Sequence, residues 1–459
     1  MFKKFYWGNS SSAMQTEGAW NLDGKGLSIY DIKEPAENIS DWKDGIDAYH
    51  RYEEDSKIMQ DLGMNMYRFS LSWSRIDPTG DGTFNEAGIA FYHRFIDDLI
   101  ANNIEPMLCL HHFDVPLTLA EKYNGFVDRK VVDAFELYAK RVIDEFSPKV
   151  KHFISFNEQN LYLRPERCFV KSGYLEGEQT TEEIFRVMHN LTMAHCFVAN
   201  YIHENTDAYI AGMLSYTEVY PETSHPKDVF ATREWDEFTN YNIADLFIRG
   251  EYSKSVMRYL KNHQIDIGLL PGDLETMKKQ SCDYLAFSYY ASNTISHKLI
   301  DFDKAPNYYL VEGRVKNPYL DESEWHWEID PLGFRNVMNK LYSRYNVPIF
   351  PIENGIGVME VWDGIRPVQD SYRIEYHEKH IKALLDARDI DGVDIPGYLG
   401  WGLIDFPSSL GDMRKRYGTV YVNRDNHDLK DLKRIPKKSY AWFKETFHSN
   451  AANLKNGDE

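Results

Sequence analysis

Val347-Pro-Ile-Phe-Pro-Ile-Glu-Asn-Gly355 is a short apolar run closed at both ends by chain breakers. Ile349 to Ile352 is too short for a helix and lies between Pro348 and Gly355, so it predicts a buried strand, Pro351 notwithstanding. Glu353 and Asn354 follow at once, where such a strand passes into a loop. In α/β folds the carboxyl ends of parallel strands carry the chemistry. A carboxylate there also serves as a helix cap, and a chain with 71 Asp and Glu ends some strands in acid by accident. The other strands decide between these readings.

Seven more stretches predict short buried strands: Phe5-Tyr-Trp7, Met64 to Phe69, Pro106 to Leu110, His152 to Phe156, Tyr209 to Leu214, Tyr284 to Phe287 and Pro396 to Trp401. Most run out into polar or aromatic groups, notably His111-His-Phe-Asp114, Asn157-Glu158 and Ser288-Tyr-Tyr290. Between them, apolar residues three and four apart predict helices over Tyr49–Leu62, Phe91–Ile100, Lys130–Phe146, Thr181–Ile202, Asp330–Tyr345, Ser371–Ala387 and Lys437–Phe447. Strand and helix in alternation predict an α/β fold, a (β/α)8 barrel over residues 1–448. Glu218–Asp283 and His297–Asp330 are expected to be long loops on its catalytic face, and 449–459 a frayed C-terminal tail. An open doubly wound sheet is the alternative, but no early Gly-x-Gly-x-x-Gly stretch supports a dinucleotide site.

A net charge of −19 argues against nucleic acid or an anionic membrane as partner, because both select basic surfaces. Four widely spaced cysteines match neither a zinc site nor a redox pair. No apolar leader precedes Asn9 and no apolar run is long enough to span a bilayer. The expectation is a cytoplasmic enzyme. Nothing in the sequence decides against a homo-oligomer.

In a barrel, Glu158 and Glu353 open onto one face, at the ends of strands four and seven. Paired carboxylates cleave glycosidic bonds, one protonating the leaving oxygen and the other attacking or activating water. A metal site built from His111, His112, Asp114 and the glutamates is the competing use. It is disfavoured because adjacent histidines on a strand point to opposite faces. Neither a metal nor a cofactor is called for.

The blocks Phe5–Ala19, Tyr49–Gly80, His112-Phe-Asp-Val-Pro116, Phe156-Asn-Glu158, Ile352-Glu-Asn-Gly355 and Gly397–Lys438 stand in an order that resembles family 1 of the glycoside hydrolases over nearly the whole chain. That resemblance implies a retaining barrel enzyme with Glu353 as nucleophile and Glu158 as acid/base. It also implies Gln15, His112, Asn157 and Trp401 around the sugar, Tyr290 and Arg68 beside Glu353, and Trp327 on the aglycone side. Gln159 departs from the Pro that many members carry there, which leaves the leaving-group side open. Arg68 is expected to hold Glu353 ionised.

Asp405 to Gly418 bears on the substrate. Arg414-Lys415-Arg416 is a basic cluster in an acidic protein, although three consecutive basic residues arise readily by chance. Relatives acting on plain sugars usually have Glu-Trp where Ser408-Ser409 stand, and losing that Glu removes a charge that would repel phosphate. The pattern is similar to 6-phospho-β-glucosidases, which implies Ser408, Ser409, Lys415 and Tyr417 as a phosphate clamp. Ser288 and Ser409 lean towards phosphoglucosides over phosphogalactosides. The expected reaction is hydrolysis of a 6-phospho-β-glucoside to glucose 6-phosphate and an aglycone. The alternatives are a plain β-glucosidase, a 6-phospho-β-galactosidase and a sugar-phosphate-binding barrel without catalysis.

Overall fold

The computed structural model describes residues 1–454. Eight strands, β1 Tyr6–Ser10, β2 Met66–Ser70, β3 Glu105–His111, β4 His152–Phe156, β5 Tyr209–Ser215, β6 Tyr284–Tyr289, β7 Ile349–Asn354 and β8 Gly397–Trp401, form one parallel sheet in the order β7-β6-β5-β4-β3-β2-β1-β8. Strand β8 lies against β7 across the seam, and the Ser10 hydroxyl donates to the Ile352 carbonyl there. The result is a nearly closed barrel. Each strand is followed by a helix: α1 Ala48–Asp61, α2 Glu86–Ala101, α3 Arg129–Phe146, α4 Thr181–Asn205, α5 Asn242–Arg249, α6 Pro331–Tyr345, α7 Ser371–Asp389 and α8 Lys438–His448.

The strands are almost continuously apolar because both of their faces are covered. Tyr6, Met66, Met107, Cys109, Ile154, Met213, Tyr284, Ala286, Phe350, Ile352 and Leu399 fill the barrel interior. Residues alternating with them, such as Trp7, Tyr67, Leu108, Phe153, Leu285 and Phe287, pack outwards in the layer shared with the helices. Arg68 shares the parity of Met66, so its side chain rises inside the barrel.

Strand β7 breaks this alternation. Pro351 pairs with Phe287 but Glu353 pairs with Ser288, so Ile352 is an extra residue in a β-bulge. A proline is tolerated at such a break in the ladder. The bulge lets consecutive residues, Ile352 and Glu353, both face inwards. Asn354 then turns outwards, donating to the Tyr289 carbonyl at 2.7 Å and accepting from Tyr398 at 2.8 Å.

Two expectations need correction. Glu218–Asp283 is not a long loop: it holds α5 and the further helices Pro226–Asp236, Lys254–Asn262 and Asp273–Lys279. A π-helical turn at Glu237–Tyr241 joins Pro226–Asp236 to α5 and shifts the apolar spacing between them. His297–Asp330 is irregular for most of its length, but Arg314–Val315 pairs with Asn293–Ile295 and fixes its position. The described part of the expected tail packs rather than frays. Trp7 Nε1 donates to Asn450 at 2.8 Å, and Ala451 and Leu454 are buried. Residues 455–459 lie outside the described residues. No described helix is long and apolar enough to cross a membrane.

Candidate active site

At the carboxyl ends of the strands, Glu353 is buried and held by two donors. Arg68 Nη1 reaches one carboxylate oxygen at 2.6 Å, and the Tyr290 hydroxyl reaches the other at 2.8 Å. Arg68 Nη2 donates to Asn157 Oδ1 at 2.5 Å, tying the end of β7 to the end of β4 through one guanidinium. Glu158 follows Asn157 with a left-handed backbone (φ 44°) that re-aims its side chain. Non-glycine residues held there cost about 1–3 kcal/mol and persist where the surroundings impose them. The Ser288 hydroxyl donates to Glu158 Oε1, and Ser288 is also the ladder partner of Glu353. Both carboxylates therefore lean on one residue of β6, and both line one cavity of about 440 Å³.

Glu353 is pushed up to about 7. Burial is the largest cause and Arg68 opposes it; the charge of Glu158 adds to the rise, while Tyr290 pulls back. Arg68 thus favours the ionised form, as its position predicts, but does not prevail over burial. Glu158 and Glu353 face one cavity, and the charge of Glu158 disfavours a charge on Glu353. Such a pair can supply one carboxylate and one carboxylic acid to the same bond.

The other sugar-side positions gather around the pair. Gln15 is fully buried in the wall, accepting from Ser12 at 2.6 Å and donating to the Pro407 carbonyl at 2.8 Å. The rings of His112 and Trp401 stack 5.8 Å apart, and burial keeps the His112 imidazole neutral, far below its usual range. His111, by contrast, points away into a cage of Trp73, Phe126, Phe135 and Phe156. The two histidines face opposite ways, and no three His, Cys, Asp or Glu among the described residues group as metal ligands. Trp327 lines the cavity beside Tyr290, its face taken by the Lys415 ammonium 3.5 Å from the ring centroid.

The three basic residues after Asp412 separate into distinct roles. Arg414 pairs with Asp412 at 2.7 Å. Arg416 is buried against Asp405 at 3.2 Å and donates to the carbonyls of Val422 and Arg424. Lys415, on the opposite side of the two-residue strand Lys415–Arg416, has no carboxylate partner among the described residues. It sits among Trp325, Trp327 and Tyr417, and burial with the nearby charge of Arg167 lowers it to about 7, against Asp412. Tyr417 and Ser409 line the cavity, whereas Ser408 is buried and its hydroxyl accepts from the Asp412 amide at 3.2 Å.

Several contributors escape a reading of the sequence. Arg373 of α7 donates to the carbonyls of Tyr417 at 2.6 Å and Ile356 at 2.8 Å while paired with Glu360 and Asp370. It ties Tyr417, 44 residues further on, to Ile356, 17 residues before it, a link that no local pattern announces. A Cβ on Gly357 would come within 2.7 Å of Lys415 Cγ and 3.0 Å of Tyr417 Cζ, so its bareness admits both side chains. Arg164, Arg167 and Lys171 also line the cavity, and their basic charge after Glu158 was the available signal.

The sequence model described as glycosyl hydrolase family 1 matches residues 1–452. The chain is 38% identical to the aryl-phospho-β-D-glucosidase BglH of Bacillus subtilis (strain 168), covering 98% of each chain. It is 37% identical to a 6-phospho-β-glucosidase of Clostridium longisporum, over 99% of this chain and 98% of that one. Among solved structures, a family 1 β-glucosidase from Thermotoga maritima superposes with a TM-score of 0.85 at 28% identity, covering 98% of both chains.

Proposed function

The chain belongs to glycosyl hydrolase family 1, and from that premise we propose that this retaining glycosidase hydrolyses 6-phospho-β-D-glucosides. Glu353, as carboxylate, attacks the anomeric carbon while the bond to the leaving oxygen breaks and Glu158 gives that oxygen its proton. Water then attacks the same carbon, Glu158 takes its proton, and Glu353 departs as carboxylate. Two inversions leave the β configuration and release glucose 6-phosphate. Asn157 and His112 hold the sugar hydroxyls, Gln15 and Trp401 shape the pocket around them, and Arg68 with Tyr290 orients Glu353. Trp327 borders the aglycone and carries Lys415 on its face.

The observation that carries the phosphate reading is Lys415, a cation without a carboxylate partner beside the cavity-lining Tyr417. A buried ammonium near 7 is poorly charged alone and becomes fully charged beside a phosphate dianion. Ser409 and Tyr417 add hydroxyl donors from the cavity wall, and Ser408, whose oxygen accepts from the Asp412 amide, keeps its own proton free to donate behind them. Relatives 35–38% identical carry phosphoglucosidase names, which agrees with this assignment. The test is hydrolysis of four p-nitrophenyl β-glycosides, gluco and galacto, each with and without a 6-phosphate. The phosphorylated glucoside is expected to give the highest kcat/KM. Equal rates with and without phosphate would overturn the substrate, and no turnover of any would overturn catalysis.

A further inference from the structure

The segment that follows Glu158 carries more positive charge than the reaction just described uses. A 3-10 turn over Gln159–Leu163 leads into the short helix Pro165–Lys171, and Arg164, Arg167 and Lys171 all line the cavity. Their spacing of three and four residues places them on one side of the segment. Arg164 is spent: it donates to the Ser215 carbonyl at 3.0 Å and lies against Trp235. Lys171 and Arg167 are not.

Lys171 is 6% exposed, and its ammonium stands 3.4 Å from the centre of the Phe113 ring, itself part of the cavity wall. It has no carboxylate within ion-pair distance among the described residues, and neither has Arg167. Glu166 lines the same cavity but is exposed and pairs with neither. Burial brings Lys171 down to about 7; the charge of Glu158 opposes this, and Arg167 and Lys33 reinforce it. A buried ammonium without a counter-ion is costly and is relieved by an anion from outside. Its aromatic seat, Phe113, is separate from that of Lys415, which is Trp325, Trp327 and Tyr417, and Arg167 lies between the two, its charge felt at both lysines.

We propose that Lys171 and Arg167 form a second anion site, on the leaving-group side of Glu158, which accepts a carboxylate carried by the aglycone. The placement rests on the reading of Glu158 as the acid that meets the leaving oxygen, because Arg167 and Lys171 line the same cavity as Glu158 and its charge is felt at Lys171. The enzyme's substrates then include aryl or sugar-acid glycosides that bear an anionic group at each end, the 6-phosphate and a carboxylate.

The experiment compares 4-carboxyphenyl with 4-carbamoylphenyl β-glucoside 6-phosphate as substrates of the native protein, Lys171→Met and Arg167→Gln. The ratio of the two kcat/KM values cancels general losses in the variants. That ratio is expected to fall about 10-fold in Lys171→Met, the effect of removing one charge-assisted contact, and by a smaller factor in Arg167→Gln. Competitive inhibition by 4-hydroxybenzoate should weaken in step, while that by 4-hydroxybenzamide should not. Arg167 is partly exposed, so its variant reports even if a methionine at 171 disturbs folding. An unchanged ratio in both variants overturns the site. A loss that follows the sugar phosphate instead, seen by repeating the pair with unphosphorylated glucosides, also overturns it and assigns Lys171 to the phosphate clamp. The carboxylate ratio is measurable on plain glucosides too, so failure here is distinguishable from failure of the phosphoglucoside reading.

Discussion

Replacing Glu353 with Gln removes a titration that works against the fold. The carboxyl rises from its ordinary 4.5 to about 7 because burial disfavours the charge more than Arg68 and Tyr290 favour it. Below pH 4.5 the folded and unfolded chains both hold this proton, and nothing is lost. Between 4.5 and 7 the unfolded chain gives it up while the folded chain keeps it, so native stability falls as pH rises. Above 7 the full penalty remains. At about 1.4 kcal/mol for each tenfold change in proton affinity, the penalty is on the order of 3 kcal/mol. Glu353→Gln stays neutral at every pH, so its offset from the protonated wild-type carboxyl is roughly constant and it escapes this slope. Melting temperatures of both proteins, taken at one scan rate from pH 4.5 to 8, should diverge in favour of the glutamine variant as pH rises. A gap that stays flat, or that opens the other way, would refute the assignment of Glu353 as a carboxyl held uphill by burial.

The same group governs turnover, since only its ionised form attacks carbon. The acid limb of kcat/KM is expected near pH 7, with activity lost as pH falls through it. Tyr290→Phe removes the 2.8 Å hydrogen bond that favours the carboxylate, so the limb should move to higher pH in a pH–rate profile. Arg373→Met leaves Glu360 and Asp370 short of a buried counter-ion and frees the Tyr417 carbonyl; a loss of about 3–5 kcal/mol should appear as a lower urea midpoint. Gly357→Ala places a methyl 2.7 Å from Lys415 Cγ, and kcat/KM should fall several-fold more on the phosphorylated than on the plain glucoside.

Strands were legible wherever a run buried on both faces left a continuous apolar signal, and all eight barrel strands belong to this kind. Their ends were legible for the same reason, because Glu158 and Glu353 interrupt such runs abruptly. The helix α5 was not, since it is eight residues long and follows a π turn that breaks the spacing. The start of α2 was also missed: Glu86, Ala87 and Gly88 are polar or small, and the sign of its start is the Asn85 cap accepting from Ala87. In the phosphate loop the sequence offered three basic residues as equals. Only the fold separates Arg414 and Arg416, which are neutralised by Asp412 and Asp405, from Lys415. The inward turn of Glu353 was hidden as well, because it depends on the bulge at Pro351–Glu353 rather than on the two-residue alternation of a regular strand.

The central claim is that a retaining carboxylate pair works beside a corner built to hold phosphate. Lys415→Met tests it most directly, read as kcat/KM on p-nitrophenyl β-glucoside with and without its 6-phosphate. The account predicts a loss of roughly 10- to 150-fold on the phosphorylated substrate and little change on the other. Equal losses on both would contradict it.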